Sequence, residues 1–159
     1  MSRRHQITMR QDEIRDFLDK GRTMILVSNG KDGFPHPMPM WFWVDDLGVV
    51  YMTTFRKSQK INNIKRDPRV SLLLESGDAY QELKSVLIFS NAEVIDDIDY
   101  TAEILFNLSS ARGDLKIGEA EENTAIKAAL RKTAEKRVVI KLVPDKIISW
   151  DHSKLRGKY

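Results

Sequence analysis

The chain has 159 residues and a mass of 18.4 kDa, enough for one domain over residues 1–159 with a substantial core. Its 42% hydrophobic and 31% charged residues suit a globular protein and argue against disorder. The absence of cysteine excludes disulfides, thiolate nucleophiles and cysteine metal sites. His5, His36 and His152 are scattered without ligand spacing, so no metal site is expected. A net charge of +3 is compatible with a phosphorylated small molecule and gives weak support for nucleic acid. The N-terminus is polar, and no apolar run approaches the ~18 residues of a membrane span. No membrane association is expected, and the cytoplasm is the simplest location.

Thr8 and Gln11 have the spacing of a capping box ahead of a helix carrying Ile14, Phe17 and Leu18, with Gly21 as its stop. Thr23 to Ser28 reads as a first strand, and Asn29-Gly30 and Asp32-Gly33 as the loop of a hairpin. The returning strand, Phe34 to Trp43, places Pro35, Pro37 and Pro39 at alternate positions. Prolines so spaced remove donors from one flank, so this strand is an edge or its open flank faces a ligand. Its aromatic end, Trp41 to Trp43, suits core or dimer contact as readily as a cofactor platform.

Asp45 to Gly48 is a further turn, leading into a third strand, Val49 to Thr54. A basic turn and short helix then run to an Asp67-Pro68 stop. Thr53 and Thr54 offer hydroxyls at the strand end, while Arg56, Lys57 and Lys60 bring positive charge to the helix start. Ser58 is placed to cap that helix, whose opening amides and partial positive charge favour an anion. These parts suit a phosphate, and equally a capped, solvated surface helix.

Val70 to Leu74 and Ser85 to Ile95 read as a fourth and a fifth strand. Asp96 to Asp99 cap a helix ending near Arg112-Gly113, and Gly113 to Asn123 looks irregular. A helix over residues 124–133 follows, then strand at Arg137 to Leu142 and Lys146 to Trp150, interrupted at Pro144-Asp145. The hairpin-type connections predict a mainly β, antiparallel barrel with flanking helices.

The ordered set of a P-M-W-F segment, the basic turn, N-N-I-K-R-D-P-R-V-S-L-L and a closing I-S-W-D resembles the pyridoxamine 5′-phosphate oxidase-like flavin-binding split barrels. The resemblance implies a six-stranded antiparallel split barrel and a homodimer with FMN, or a related deazaflavin, at the subunit interface. By this likeness Lys60 is the phosphate-contacting lysine, and the basic turn itself adds Lys57 and Ser58 as its expected helpers. Thr53 and Thr54 lie near the phosphate and ribityl chain. Pro39, Met40, Trp41 and Phe42 run beside the ring, and Trp150 is the aromatic residue given by the partner. Many relatives place arginine where this chain has Gln59, and Lys57 and Arg56 are the candidates to compensate. The C-terminus, W-D-H-S-K-L-R-G-K-Y, differs from that of true pyridoxamine phosphate oxidases, so their substrate is not carried over.

The implied function is an FMN-dependent oxidoreductase acting on a small molecule, with no catalytic side chain identified. A deazaflavin-dependent reductase and a non-catalytic flavin- or haem-binding module are the alternatives. A single-stranded nucleic-acid barrel using Arg56 to Arg69 and Trp41 to Trp43 is disfavoured, because acidic residues nearly balance the basic ones.

Overall fold

The structure, a computed structural model, describes residues 4–115 and 120–155. Helices α1 (Arg4–Ile7) and α2 (Gln11–Lys20) precede strands β1 (Thr23–Asn29) and β2 (Pro35–Trp41). After Phe42 the chain continues as β3 (Trp43–Val44) and β4 (Val50–Phe55), then α3 (Gln59–Arg66), β5 (Arg69–Ser76) and β6 (Lys84–Ile95). Helices α4 (Ile98–Ala111) and α5 (Ala120–Ala134) lead to β7 (Arg137–Asp151).

All neighbouring strands are antiparallel, in the order β2-β1-β5-β6-β7-β4-β3. The outermost strands of that order, β2 and β3, are joined by Phe42 alone, so the sheet curls until its edges meet. There are seven strands where six are expected from the sequence. The second one bends at buried Phe42 to pair with β1 on one side and β4 on the other.

Inward positions alternate along each strand: Met24 and Leu26 on β1, Leu72 and Leu74 on β5, Val86 and Ile88 on β6, Ile140 and Leu142 on β7. The runs that look uniformly apolar in sequence are therefore strands with one face in the core and one partly covered. Ile61 and Ile64 of α3 join the same core cluster. Asn63, fully buried, donates from Nδ2 to Ser28 Oγ at 3.1 Å and ties α3 to β1. Helix α3 is thus held by two isoleucines and a satisfied buried amide, which orients its opening turn.

Local expectations are revised at three places. Helix α2 starts after Arg10, not Thr8; the Arg10 amide donates to Glu13 Oε2 at 2.6 Å, while the Thr8 hydroxyl donates back to Arg4 O. Gly21 ends that helix as expected, with extended backbone, and a Cβ there would stand 2.8 Å from the Leu74 and Phe42 side chains. Helix α5 begins at Ala120, inside the stretch expected to be irregular; residues 116–119 of that stretch lie outside the described residues. Strand β7 runs through Pro144 unbroken, because a register shift between Phe89 and Ser90 absorbs it. Among the described residues no helix is long and apolar enough to cross a membrane.

Gly77, between β5 and β6, has φ +102°, and a Cβ would meet Glu82 O at 2.4 Å. Gly77→Ala is therefore expected to destabilise the protein by about 1–3 kcal/mol, read as a lower urea midpoint at unchanged m-value.

Candidate functional site

A cleft of 280 Å³ opens where the ends of β2 and β4 face helix α4. Pro39, Met40 and Trp41 line it from β2, and Thr53, Thr54 and Phe55 from β4. Leu105, Leu108, Ser109 and Arg112 line it from the α4 segment, and Arg137 from the start of β7. Residues 105, 108, 109 and 112 recur at helical spacing, so a single helix face closes the cleft. Among the described residues, no carboxylate lines it.

On β2 the alternation of proline sets what the cleft can be offered. Pro35, Pro37 and Pro39 pair with Asn29, Val27 and Ile25 in the β1 register, yet none of the three has an N–H. His36, Met38 and Met40, which alternate with them, are left as donors to β1. The same alternation puts the Trp41 N–H on the open flank, the first backbone donor there after three prolines.

Lys60 stands beside the β4 edge of this cleft. Its side chain is only 8% exposed, and its Nζ donates to Thr54 Oγ1 at 3.1 Å. Thr54 Oγ1 in turn donates to Ser58 Oγ at 3.4 Å. Burial alone pushes the Lys60 pKa down, and no carboxylate pairs with the amine among the described residues. A buried ammonium with one hydroxyl partner is short of acceptors, since it has three protons to donate.

Ser58 occupies the N-cap of α3 as expected, but its side chain makes no capping hydrogen bond. Its carbonyl accepts from Ile61 and Asn62. The amides of Gln59 and Lys60 thus have no protein acceptor among the described residues, and they lie in the same turn as the buried amine. Ammonium, hydroxyls and free amides together fit a phosphate. The apolar and aromatic walls, Trp41, Leu105 and Leu108, fit a planar ring.

Not every residue singled out from the sequence lies here. Arg56 is engaged elsewhere: its Nε and Nη2 donate to Asp96 at 2.7–3.0 Å, and its Nη1 to Glu135 O at 2.8 Å. The Arg56 guanidinium holds the Asp96 carboxyl below its usual range. Arg56 therefore pins the turn after β4 to the segments flanking α4 and β7, which removes it as a phosphate ligand. Lys57 is exposed at the helix opening, without a hydrogen bond or ion pair among the described residues. Phe42 turns into the core and borders a separate 240 Å³ pocket with Trp43 and Arg112. Trp150 pairs with Ser85 near the C-terminal end of β7, whereas Thr53 and Thr54 pair with Val139 and Val138 near its start. The chain that holds the cleft thus keeps its own Trp150 at the other end of a 15-residue strand.

Phe55, Leu105, Leu108, Ser109, Arg112 and Arg137 are cleft residues with no signal in the sequence. Arg112 reads there as an ordinary helix end, and Arg137 as an ordinary strand start.

A profile described as pyridoxamine 5′-phosphate oxidase matches residues 11–151. No curated protein sequence matches the chain. Among solved structures, a conserved hypothetical protein from Mycobacterium tuberculosis is 33% identical with a TM-score of 0.84, covering 100% of this chain and 95% of that one. A flavocytochrome from Azotobacter vinelandii is 17% identical with a TM-score of 0.69, covering 100% of this chain and 79% of its own. An F420 reductase is 22% identical with a TM-score of 0.59, covering 84% of this chain and 94% of its own. The last two likenesses are of fold.

The lowered pKa of Lys60 has a signed consequence. Between its folded value and the ordinary lysine value the unfolded chain binds more protons, so stability rises with pH across that window. Below the window the penalty of the buried charge is present in full. Lys60→Met is expected to be more stable than the parent at pH 7 without ligand, by about 1–2 kcal/mol. Urea unfolding at intervals from pH 7 to 10 should show that gap narrowing as pH rises.

Proposed function

The chain belongs to the pyridoxamine 5′-phosphate oxidase family, and from that premise we propose that it is an FMN-dependent oxidoreductase acting on a small molecule. The observation that carries this reading is the buried Lys60 ammonium, which has a hydroxyl partner but no counter-charge among the described residues. Burying an unpaired cation costs several kcal/mol, and a bound phosphate offsets that cost at the position where the α3 amides are also free.

Lys60, the Ser58 and Thr54 hydroxyls and the amides of Gln59 and Lys60 would hold the phosphate. Thr53 would contact the connecting chain, and the backbone of Pro39 to Trp41 would face the ring, with the Trp41 N–H as a donor to it. When bound, FMN supplies the acceptance and return of an electron pair. The protein's part would be to fix the ring against β2 and β4 and to anchor its phosphate at the opening of α3. No side-chain nucleophile is required, in keeping with a cleft lined, among the described residues, by no cysteine, histidine or carboxylate.

A homodimer belongs to the same reading. Each cleft lacks its own Trp150, and Phe89, Val143 and Ile147 of the β6–β7 ribbon leave apolar surface exposed. Deazaflavin is the second reading for the cofactor. The exposed Lys57 at the helix opening favours a longer anionic tail, and the fold likeness to the F420 reductase supports it.

The deciding experiment is a pair of titrations with FMN and riboflavin, followed by quenching of flavin fluorescence. FMN is expected to bind at least tenfold tighter than riboflavin, and Lys60→Met to remove most of that difference. Equal affinities for the two flavins in the parent protein would end the phosphate reading. Light scattering is expected to give twice the 18.4 kDa chain mass.

A further inference from the structure

The flavin reading uses β2, β4 and the opening of α3, and leaves the opposite wall of the cleft without a task. That wall carries two arginines with unusual surroundings. Arg112 sits over the Trp41 ring, 3.7 Å from its centroid, and Arg137 over the Phe55 ring at 4.5 Å. Both rings are largely open to solvent, at 59% and 57% exposure. A guanidinium stacked on an aromatic face keeps its N–H groups free for an acceptor in its own plane.

Neither charge is neutralised within the cleft. Arg137 makes no hydrogen bond or ion pair among the described residues, although it is half-buried. Arg112 gives its Nε to Asp114 at 2.9 Å, a carboxylate that is 54% exposed and does not line the cleft. Both Nη groups of Arg112 are left without a protein acceptor among the described residues. The backbone of Arg112 is fixed, because its carbonyl accepts from Arg22. Leu105 and Leu108 supply apolar surface about two and one turns before Arg112 on the same helix face.

We propose that this wall is a substrate subsite for an amphipathic oxyanion. The apolar or aromatic body lies against Leu105 and Leu108, and its carboxylate or phosphate is held by Arg112 and Arg137. This rests on the flavin reading for the remainder of the cleft, since the β2–β4 side is then filled. The two arginines are specificity residues: they select a charged substrate over its neutral isostere by paired, charge-assisted hydrogen bonds.

The test is calorimetric titration of the protein, with and without saturating FMN, using 2-naphthoate, 2-naphthyl phosphate and neutral 2-naphthamide. At least one anion is expected to bind about tenfold or more tightly than the amide, and the tighter of the two identifies the head group. Arg137→Gln and Arg112→Gln should each weaken the anion about tenfold and leave the amide unchanged. Arg137→Lys, which keeps the charge and loses the fork, should recover part of the loss and controls for folding. FMN affinity in both glutamine variants is expected to stay within about twofold of the parent.

Equal binding of anion and amide, or no binding of any probe, overturns the proposal. So does a tenfold loss of FMN affinity in the arginine variants, which would assign them to the cofactor. The flavin reading fails on a different result, an unchanged FMN affinity in Lys60→Met, and the naphthoate arms on flavin-free protein still decide the arginine subsite.

Discussion

A positive charge removed from water with only a hydroxyl to meet it is the constraint on which this structure depends. Lys60 is held there by its neighbours on α3 rather than by its own preference. Ile61 and Ile64 are drawn into the barrel core, and Asn63 bonds to Ser28, so position 60 is carried inward with them. The hydrophobic contribution of two fully buried isoleucines, about 1.5–3 kcal/mol each, is large enough to hold the helix against a desolvated ammonium. Stability is thus spent on a buried amine short of acceptors, a perturbation of the kind that clusters at functional sites.

The barrel supplies the second requirement, a cleft wall that does not compete for ligand. An ordinary edge strand presents alternating N–H and C=O groups and invites another strand. Proline at 35, 37 and 39 strips the donors from the open flank of β2 while its other flank stays paired to β1. The bend at Phe42 then hands the chain to β4, closing the sheet around the core and placing the open flank over the cleft. Closure and ligand access therefore come from one ten-residue stretch, residues 35–44.

The division between what was legible and what was not follows sequence distance. Pro39, Met40, Trp41, Thr53, Thr54, Ser58 and Lys60 fall within 22 consecutive residues, and their roles as strand ends and helix opening are local properties. Arg56 belongs to that stretch too, yet its guanidinium is claimed by Asp96, forty residues away. Composition counts the charge and does not say which carboxylate will take it. Phe42 stays out of the cleft lining for a related reason: alternation along a strand puts Trp41 and Phe42 on opposite faces, and the break at 42 sends the phenyl ring into the core. The α4 wall was invisible, because Leu105, Leu108, Ser109 and Arg112 have the pattern of any amphipathic helix.

From its order of residues alone, this chain determined an antiparallel barrel, a proline-marked open strand and a cationic helix start suited to phosphate. Periodicity, missing N–H groups and end-of-helix charge are all short-range physics. Tertiary structure decided which cations stay unpaired, where the second strand breaks, and which helix roofs the cleft. Those outcomes depend on groups tens of residues apart competing for one another in space, and pairing of that kind has no signature in the local sequence.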